Sequence, residues 1–393
     1  MRFAVLCSVL LAALNLQGQN RCGTPALWGG HTGESFMPGP GETQQRVTPR
    51  DILVIPVVVH VVWHTSSENI SDAQIASQID VLNRDFRADN AEVAGVPTIF
   101  GLFVADMEME FCLVATTRTQ TEAAGIGTQI MGGKRRVCYN NLGGHDAIDP
   151  AHYLNIWVAA RTDGACGDAP LPGQASPAPP DEAGVFIRPD CFGTTGTAAA
   201  PYNLGRTTTH EIGHWLNLKH LWGDSLEDLL CLEDDLVLDT PPQAYNYQGE
   251  CPTHPSISCG TADMFMNFMN YTDDACMAMF SLGQKARAWA AINTFRPELL
   301  ESSCQPVASA EASDDDTIRL LNNPAAHWTA LQLPEKDIFE IAIFDSTGRL
   351  VFVKNRVPGG LFYIDTQAFI SGIYHIKIRD GGKIHTKKLN IVR

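Results

Sequence analysis

Residues 210–220 read His-Glu-Ile-Gly-His-Trp-Leu-Asn-Leu-Lys-His, an order of side chains that few backbones can accommodate usefully. A helix over 207–216 sets His210 and His214 one turn apart on the same face, so both imidazoles reach one metal ion. Glu211 stands beside that stripe, where its carboxylate can take a proton from water activated by the metal. A catalytic zinc wants three protein ligands and an open fourth position, and His220 supplies the third. Continued helix would carry His220 away from the ion, so the chain must turn. Asn217 stands at that turn, and after Gly it is the residue that best tolerates the left-handed conformation ending a helix. The layout is that of a hydrolase.

The spacing resembles the metzincin pattern His-Glu-x-x-His-x-x-Gly-x-x-His, with Asn217 in place of the usual Gly. Downstream, Asn267-Phe268-Met269-Asn270-Tyr271 resembles the metzincin Met-turn, which implies Met269 as an apolar floor beneath the histidines. Together with Leu238-Asp239-Thr240-Pro241, the continuation Thr272-Asp273-Asp274-Ala275-Cys276-Met277, and Phe280-Ser281-x-Gly283-Gln284, residues 51–304 look like the pappalysin family, in its ulilysin-like or cytophagalysin branch. The resemblance implies a zinc endopeptidase. Its fold would be an α/β (α+β) metzincin-like catalytic domain, with an active-site cleft between an upper mixed sheet and an irregular lower subdomain. It further implies that Tyr271 lies near the metal and stabilises the oxyanion, and that Asp274 lines the pocket for the residue after the scissile bond. A carboxylate there selects Arg, then Lys, by a charge-assisted hydrogen bond. Calcium, as a second ion, is implied on Asp235, the Leu238 carbonyl and Thr240. Disulfides Cys231–Cys259 and Cys251–Cys276 are implied in the same way, whereas the spacing of these cysteines leaves three pairings open.

At the N-terminus, Arg2 and the apolar run Phe3–Leu16 have the charge and length of a secretory signal peptide, placed at 1–19. Export to an oxidising compartment makes disulfides the natural use of the cysteines. Cys112, Cys138, Cys166, Cys191 and Cys304 cannot be paired from sequence, although Cys166 and Cys191 bracket the Pro-rich stretch 169–180, a surface loop bordering the cleft. Cys22, in Arg21-Cys22-Gly23-Thr24, is a different matter. A thiolate is a strong zinc ligand and can fill the position that water needs. Residues 20–50 therefore read as a propeptide, and the resemblance to ulilysin-like proenzymes implies a cysteine switch.

Within the catalytic region, Ile52–Trp63 reads as a buried strand, Ser71–Arg87 as a helix opened by Ser71, and Tyr153–Ala160 as a further strand. His60 and His64 share a strand face and read as structural. After Cys304 the composition turns small and acidic, which marks a linker at 305–316. The stretch 317–393 reads as a small all-β sandwich of short strands at Ile318–Leu320, Glu340–Phe344, Leu350–Lys354, Leu361–Ile364, Gly372–Ile378 and Lys383–Val392. Asn323-Pro324, Gly372-Ile373-Tyr374 and Lys387-Lys388-Leu389-Asn390-Ile391-Val392 resemble the C-terminal sorting domain of the type IX secretion machinery. That likeness implies passage across the outer membrane to the cell surface or beyond.

With a net charge of −16, the surface repels phosphates, which argues against nucleic acid and anionic lipid as partners. No internal apolar stretch has the length to insert stably in a membrane. Two function classes remain, a secreted endopeptidase acting on proteins or peptides and an adhesin or binding protein on the same scaffold. Glu211 beside intact ligands favours chemistry.

Overall fold

The computed structural model describes residues 20–23, 52–174, 177–223, 231–302, 304, 318–321, 323, 325, 328–345, 349–380 and 383–391. The signal peptide, most of the propeptide and the linker expected from the sequence lie outside these residues. The chain divides into two compact units, 1–307 and 308–393.

The first unit is built on β2 (Leu53–Trp63), whose run of β-branched residues is buried on both faces. Such continuous apolarity suits the interior of a parallel sheet. Strand β1 (Asn20–Cys22) comes before it in the chain, and β3 (Met109–Gln120), β6 (Leu154–Ala159), β7 (Ala165–Asp168) and β8 (Val185–Ile187) follow, in the sheet order β1-β7-β8-β6-β2-β3. Only the β7–β8 pair is antiparallel, so the sheet is mixed. Pro56 is tolerated inside β2 because the pairing with β6 begins at Val57, leaving β3 as its single neighbour at that level. A separate two-stranded ribbon pairs β4 (Ile130–Met131) with β5 (Lys134–Arg135).

Helix α1 (Asp72–Phe86) opens at Ser71, whose hydroxyl accepts from Gln74 N, and is followed by the single turn α2 (Thr98–Gly101). The buried face of α1 is partly polar for a purpose. Gln74 donates to Pro189 O and Phe192 O, and Gln78 donates to Gly205 O while accepting from Gly193 N and Thr208 Oγ1. Asp85 binds Arg206 and Thr209. These side chains carry the loop that leads into α3 (Arg206–Trp215) and hold the first turn of that helix. Below the sheet, residues 231–280 are largely irregular, braced by Cys231–Cys259 and Cys251–Cys276. Helix α4 (Leu282–Phe295) follows, with Ser281 and Gln284 forming a capping box. Disulfide Cys112–Cys304 joins β3 to the segment after α4, and Cys166–Cys191 joins β7 to the loop before α3. Cys22 and Cys138 remain thiols.

The second unit is all-β and antiparallel. Its strands are β9 (Arg319–Leu321), β10 (Trp328–Asp345), β11 (Leu350–Asp365), β12 (Gly372–Asp380) and β13 (Lys383–Ile391). Two of the short strands expected from the sequence are the second halves of β10 and β11. β10 pairs with β9 over Ala330–Gln332 and with β12 over Phe339–Asp345, with a register shift between Leu333 and Ile338. One side of β10 thus carries β9 and then β12 while the other pairs with β11, and the sheet curls into a half-barrel around Leu331, Phe339, Ile341, Ile376 and Leu389.

Among the described residues, no helix is long and apolar enough to cross a membrane.

Candidate metal centre and cleft

α3 is an unusual helix by composition, with Thr207, Thr208, Thr209 and Gly213 all weak helix formers. Tertiary burial compensates, since every one of its residues is buried. Its end is a Schellman motif: Leu218 N donates to Gly213 O and Asn217 N to His214 O, with Asn217 at φ 68°. The turn releases Leu218 O to accept from His214 Nδ1 at 2.8 Å and swings His220 back beneath the helix. Arg287 of α4 clamps the turn through Asn217 O at 2.6 Å.

The result is a convergence of imidazoles. His214 Nε2 lies 3.1 Å from His210 Nε2 and 3.0 Å from His220 Nε2. His210 Nδ1 donates to Phe268 O at 2.7 Å. A carbonyl oxygen only accepts, so His210 and His214 carry their protons on Nδ1 and turn Nε2 lone pairs inward. Burial, and then the neighbouring imidazoles, push His210 and His220 well below the ordinary histidine range. Buried lone pairs this close repel one another unless a cation sits among them. The donor set therefore fits a zinc ion, and Cys22 Sγ completes a group of ligand atoms all within 4.8 Å of one another.

Met269 lies below this group, and Gly213 is what admits it: a Cβ on Gly213 would stand 2.3 Å from Met269 Sδ. The turn that carries Met269 is held by α4. Asn267 Oδ1 accepts from Met269 N at 2.9 Å, while Asn267 Nδ2 donates to Gln284 Oε1 at 2.8 Å. Glu211 is buried beside the imidazoles and accepts from the Cys22 thiol at 3.6 Å. Gly167 of β7 makes room for it, since a Cβ there would meet Glu211 Cγ at 2.9 Å. Tyr271 packs edge-on to His220 and donates to Cys22 O at 3.4 Å. Burial, with Cys22 and Glu211 nearby, pushes the Tyr271 phenol well above its usual range, so it stays protonated.

A second buried place adjoins the first. Asp274 is fully buried, and its Oδ1 accepts from Arg21 Nη2 at 2.6 Å. The same guanidinium nitrogen donates to Thr272 O at 2.7 Å and the group lies over the Tyr202 ring at 4.7 Å. β1, the edge strand, thus runs parallel to β7, placing Arg21 against Asp274 and Cys22 against the histidines. Nothing in the order of residues marks Arg21, although it neighbours the cysteine. Its partner is distant in the chain, and a basic residue beside a thiol is no signal without that partner.

Of the residues named for calcium, Asp235 is buried, with Oδ1 accepting from Thr240 Oγ1 at 2.7 Å and from Val237 N at 3.1 Å. Its Oδ2 is buried and has no hydrogen-bond partner among the described residues, and burial pushes its pKa up to about 7. The Leu238 side chain faces solvent. His60 and His64 stand apart from the metal group; His60 Nδ1 and Nε2 meet Thr117 Oγ1 and Asn155 Oδ1, both at 2.8 Å.

Residues 139–293 match the family model described as pregnancy-associated plasma protein-A, and residues 322–392 match that of a secretion system C-terminal sorting domain. Extracellular metalloprotease 1 of Coccidioides posadasii is 31% identical over 60% of this chain and 76% of its own length. Mature mirolysin of Tannerella forsythia, solved in complex with a cleaved peptide, is 40% identical, with a TM-score of 0.59 over 64% of this chain and 97% of that one. A promirolysin mutant from the same organism is 40% identical, also at a TM-score of 0.59, and covers 64% of this chain and 84% of that one.

Proposed function

The chain belongs to the pappalysin family of metallopeptidases and is an extracellular enzyme with a C-terminal sorting domain, and we propose that it is a zinc endopeptidase, made latent, that cleaves before basic residues. The observation that carries this reading is the convergence of His210, His214 and His220 beside Glu211, with Cys22 closing the group. His210, His214 and His220 hold the ion. When bound, zinc supplies Lewis acidity, acidifying water and polarising a peptide carbonyl.

The rest of the chemistry belongs to the chain. Glu211 accepts the proton as the peptide carbonyl is attacked and returns it to the leaving amine. Tyr271, kept protonated, donates to the oxyanion that develops. β7 offers the edge that β1 now covers to an extended peptide running in the opposite direction, because in β1 the pocket residue Arg21 precedes the one at the metal, whereas in a substrate the pocket residue follows the scissile bond. Asp274 receives the side chain after the scissile bond, and the buried carboxylate selects Arg, with Lys second, by a charge-assisted hydrogen bond. The Arg21 contact supports this assignment, because there a guanidinium fills the same place.

Latency follows from β1. The Cys22 thiol stands where water must bind, and Arg21 fills the pocket that a substrate needs, so residues 20–50 act as a propeptide ahead of a catalytic domain at 51–304 and a sorting domain at 317–393. The existence of promirolysin as a proenzyme, and the cleaved peptide held by mature mirolysin, support this division between latent and active forms. Calcium on Asp235, the Leu238 carbonyl and Thr240 fits the buried oxygen Oδ2, whose charge a cation would balance.

The deciding measurement is cleavage of a quenched peptide containing one Arg, before and after limited trypsin treatment. Activity should appear on processing, with cuts on the N-terminal side of Arg. It should vanish with a zinc chelator and fall by about 10²- to 10⁴-fold in Glu211→Ala at unchanged zinc content. Unprocessed Cys22→Ala should be more active than the unprocessed wild-type protein, even with Arg21 still in the pocket. Full activity in Glu211→Ala would remove the mechanism, and cleavage profiles dominated by apolar residues would remove the Asp274 assignment.

A further inference from the structure

The helix that carries His210, Glu211 and His214 begins without a cap of its own. Gly205 occupies the N-cap position at φ 79° and has no side chain to accept from the first turn. The missing acceptor comes from far along the chain. Leu204 N donates to Asp274 Oδ2 at 2.8 Å and Arg206 N donates to the same oxygen at 3.3 Å.

The other oxygen of that carboxylate, Oδ1, is the one that meets Arg21. The two oxygens of Asp274 thus face two different tasks, one toward the start of α3 and one toward the pocket. The mount is firm. Asp274 N donates to Pro201 O at 3.3 Å, and Cys276, two residues on, is tied to Cys251. A carboxylate at this end of a helix also meets the positive end of its dipole, so both hydrogen bonding and charge favour the arrangement.

We propose that Asp274 is a positioning residue for the metal centre: through Oδ2 it caps and fixes the start of the helix bearing two of the ligands, while Oδ1 is left to receive a basic side chain. Only the role of Oδ1 rests on the selectivity assigned to Asp274 above. The role of Oδ2 rests on the geometry of α3. A single acid therefore links the pocket to the metal site.

Asn separates the two roles, since its amide oxygen still accepts two N–H bonds but carries no charge. The test uses the full chain in a Cys22→Ala background, so that the thiol does not contribute to metal affinity. Zinc affinity is read by competition with a chromophoric chelator, and amide protection at Leu204 and Arg206 by hydrogen exchange. Arg21→Ala and Asp274→Asn should keep zinc affinity within about twofold and keep both amides protected. Asp274→Ala should weaken zinc binding roughly 2- to 30-fold, the range that a lost helix cap covers, and expose both amides.

Zinc affinity and amide protection in Asp274→Ala equal to those of its parent would overturn the proposal. So would an Asp274→Asn protein as weak as Asp274→Ala, because charge rather than the cap would then be responsible. Should Asp274→Ala fail to fold, exchange of the Leu204 and Arg206 amides at the solvent rate in the parent or in Asp274→Asn overturns it. Cleavage profiles after processing decide the separate question. An Asp274→Asn enzyme that still prefers Arg and Lys refutes the selectivity reading and leaves the cap intact.

Discussion

Gly213 is a residue whose importance lies in what it lacks. It sits between His210 and His214 of α3, and the space that its side chain would fill belongs to Met269 Sδ. Helix propensity disfavours glycine there by about 1 kcal/mol relative to alanine. The close approach of Met269 uses the space that an alanine methyl would need. Gly213→Ala should therefore destabilise the protein by about 1–3 kcal/mol, despite the gain in propensity, and should weaken zinc binding. Thermal unfolding and chelator competition measure the two effects, and a more stable Gly213→Ala protein would mean that Met269 can move aside. Gly167 is of the same kind, since its missing Cβ leaves room for Glu211. Gly213 belongs to the His-Glu-x-Gly-His-Trp-Leu stretch, whereas Gly167 has no turn or repeat to mark it in the sequence.

Among the elements, the end of α3 was legible because a helix and its termination obey local rules. Asn217 adopts φ 68° and does the work that glycine does in the family pattern. Asn217→Gly should leave stability nearly unchanged, while Asn217→Val should cost about 1–2 kcal/mol through left-handed strain and displace His220. Differential scanning calorimetry with a zinc titration tests both halves of that statement.

Strand β2 carries a pH dependence of its own. His60 is buried between Thr117 and Asn155 and stacked on His145 and Trp157, and burial pushes its pKa down to about 3 from 6.5. The folded state thus refuses a proton that the unfolded chain accepts below pH 6.5. Its contribution to stability is complete above that value and is lost as pH falls from 6.5 toward 3, by a few kcal/mol at about 1.4 kcal/mol per unit. In His60→Asn, melting curves between pH 7 and pH 4 should show a shallower decline. An unchanged slope would assign the acid sensitivity to other groups. The C-terminal strands were legible as alternating apolar segments, but their lengths were not, because a strand that passes a bulge and continues has no local mark distinguishing it from two short strands.

On the scale of the chain, each compact unit has its own core, one centred on β2, α1, α3 and α4, and the other on β10 and β12. The catalytic unit is closed by Cys112–Cys304, at a sequence separation of 192, so its covalent boundary falls at Cys304. A chain truncated after residue 304 should keep its melting temperature and, once processed, its peptidase turnover, yet fail to reach the cell surface. Fractionation of cells expressing the two lengths, with activity assays on each fraction, measures this. Loss of turnover in the truncated protein would show that the catalytic unit depends on the sorting unit.

What could be read from residue order was whatever covalent geometry makes local. Helical spacing aligns His210 with His214, a six-residue interval demands a turn before His220, and alternation or continuous apolarity marks strands. The tertiary structure decided the encounters between distant segments. Arg21 meets Asp274 across 253 positions, Gln78 of α1 holds the loop before α3, Gln284 of α4 holds the turn that carries Met269, and the thiol of Cys22 reaches the histidines through pairing of β1 with β7. Such contacts depend on sheet order and on the paths of loops. Burial then sets the chemistry, since a carboxylate, a phenol or an imidazole acquires its strength from surroundings that no short stretch of sequence contains.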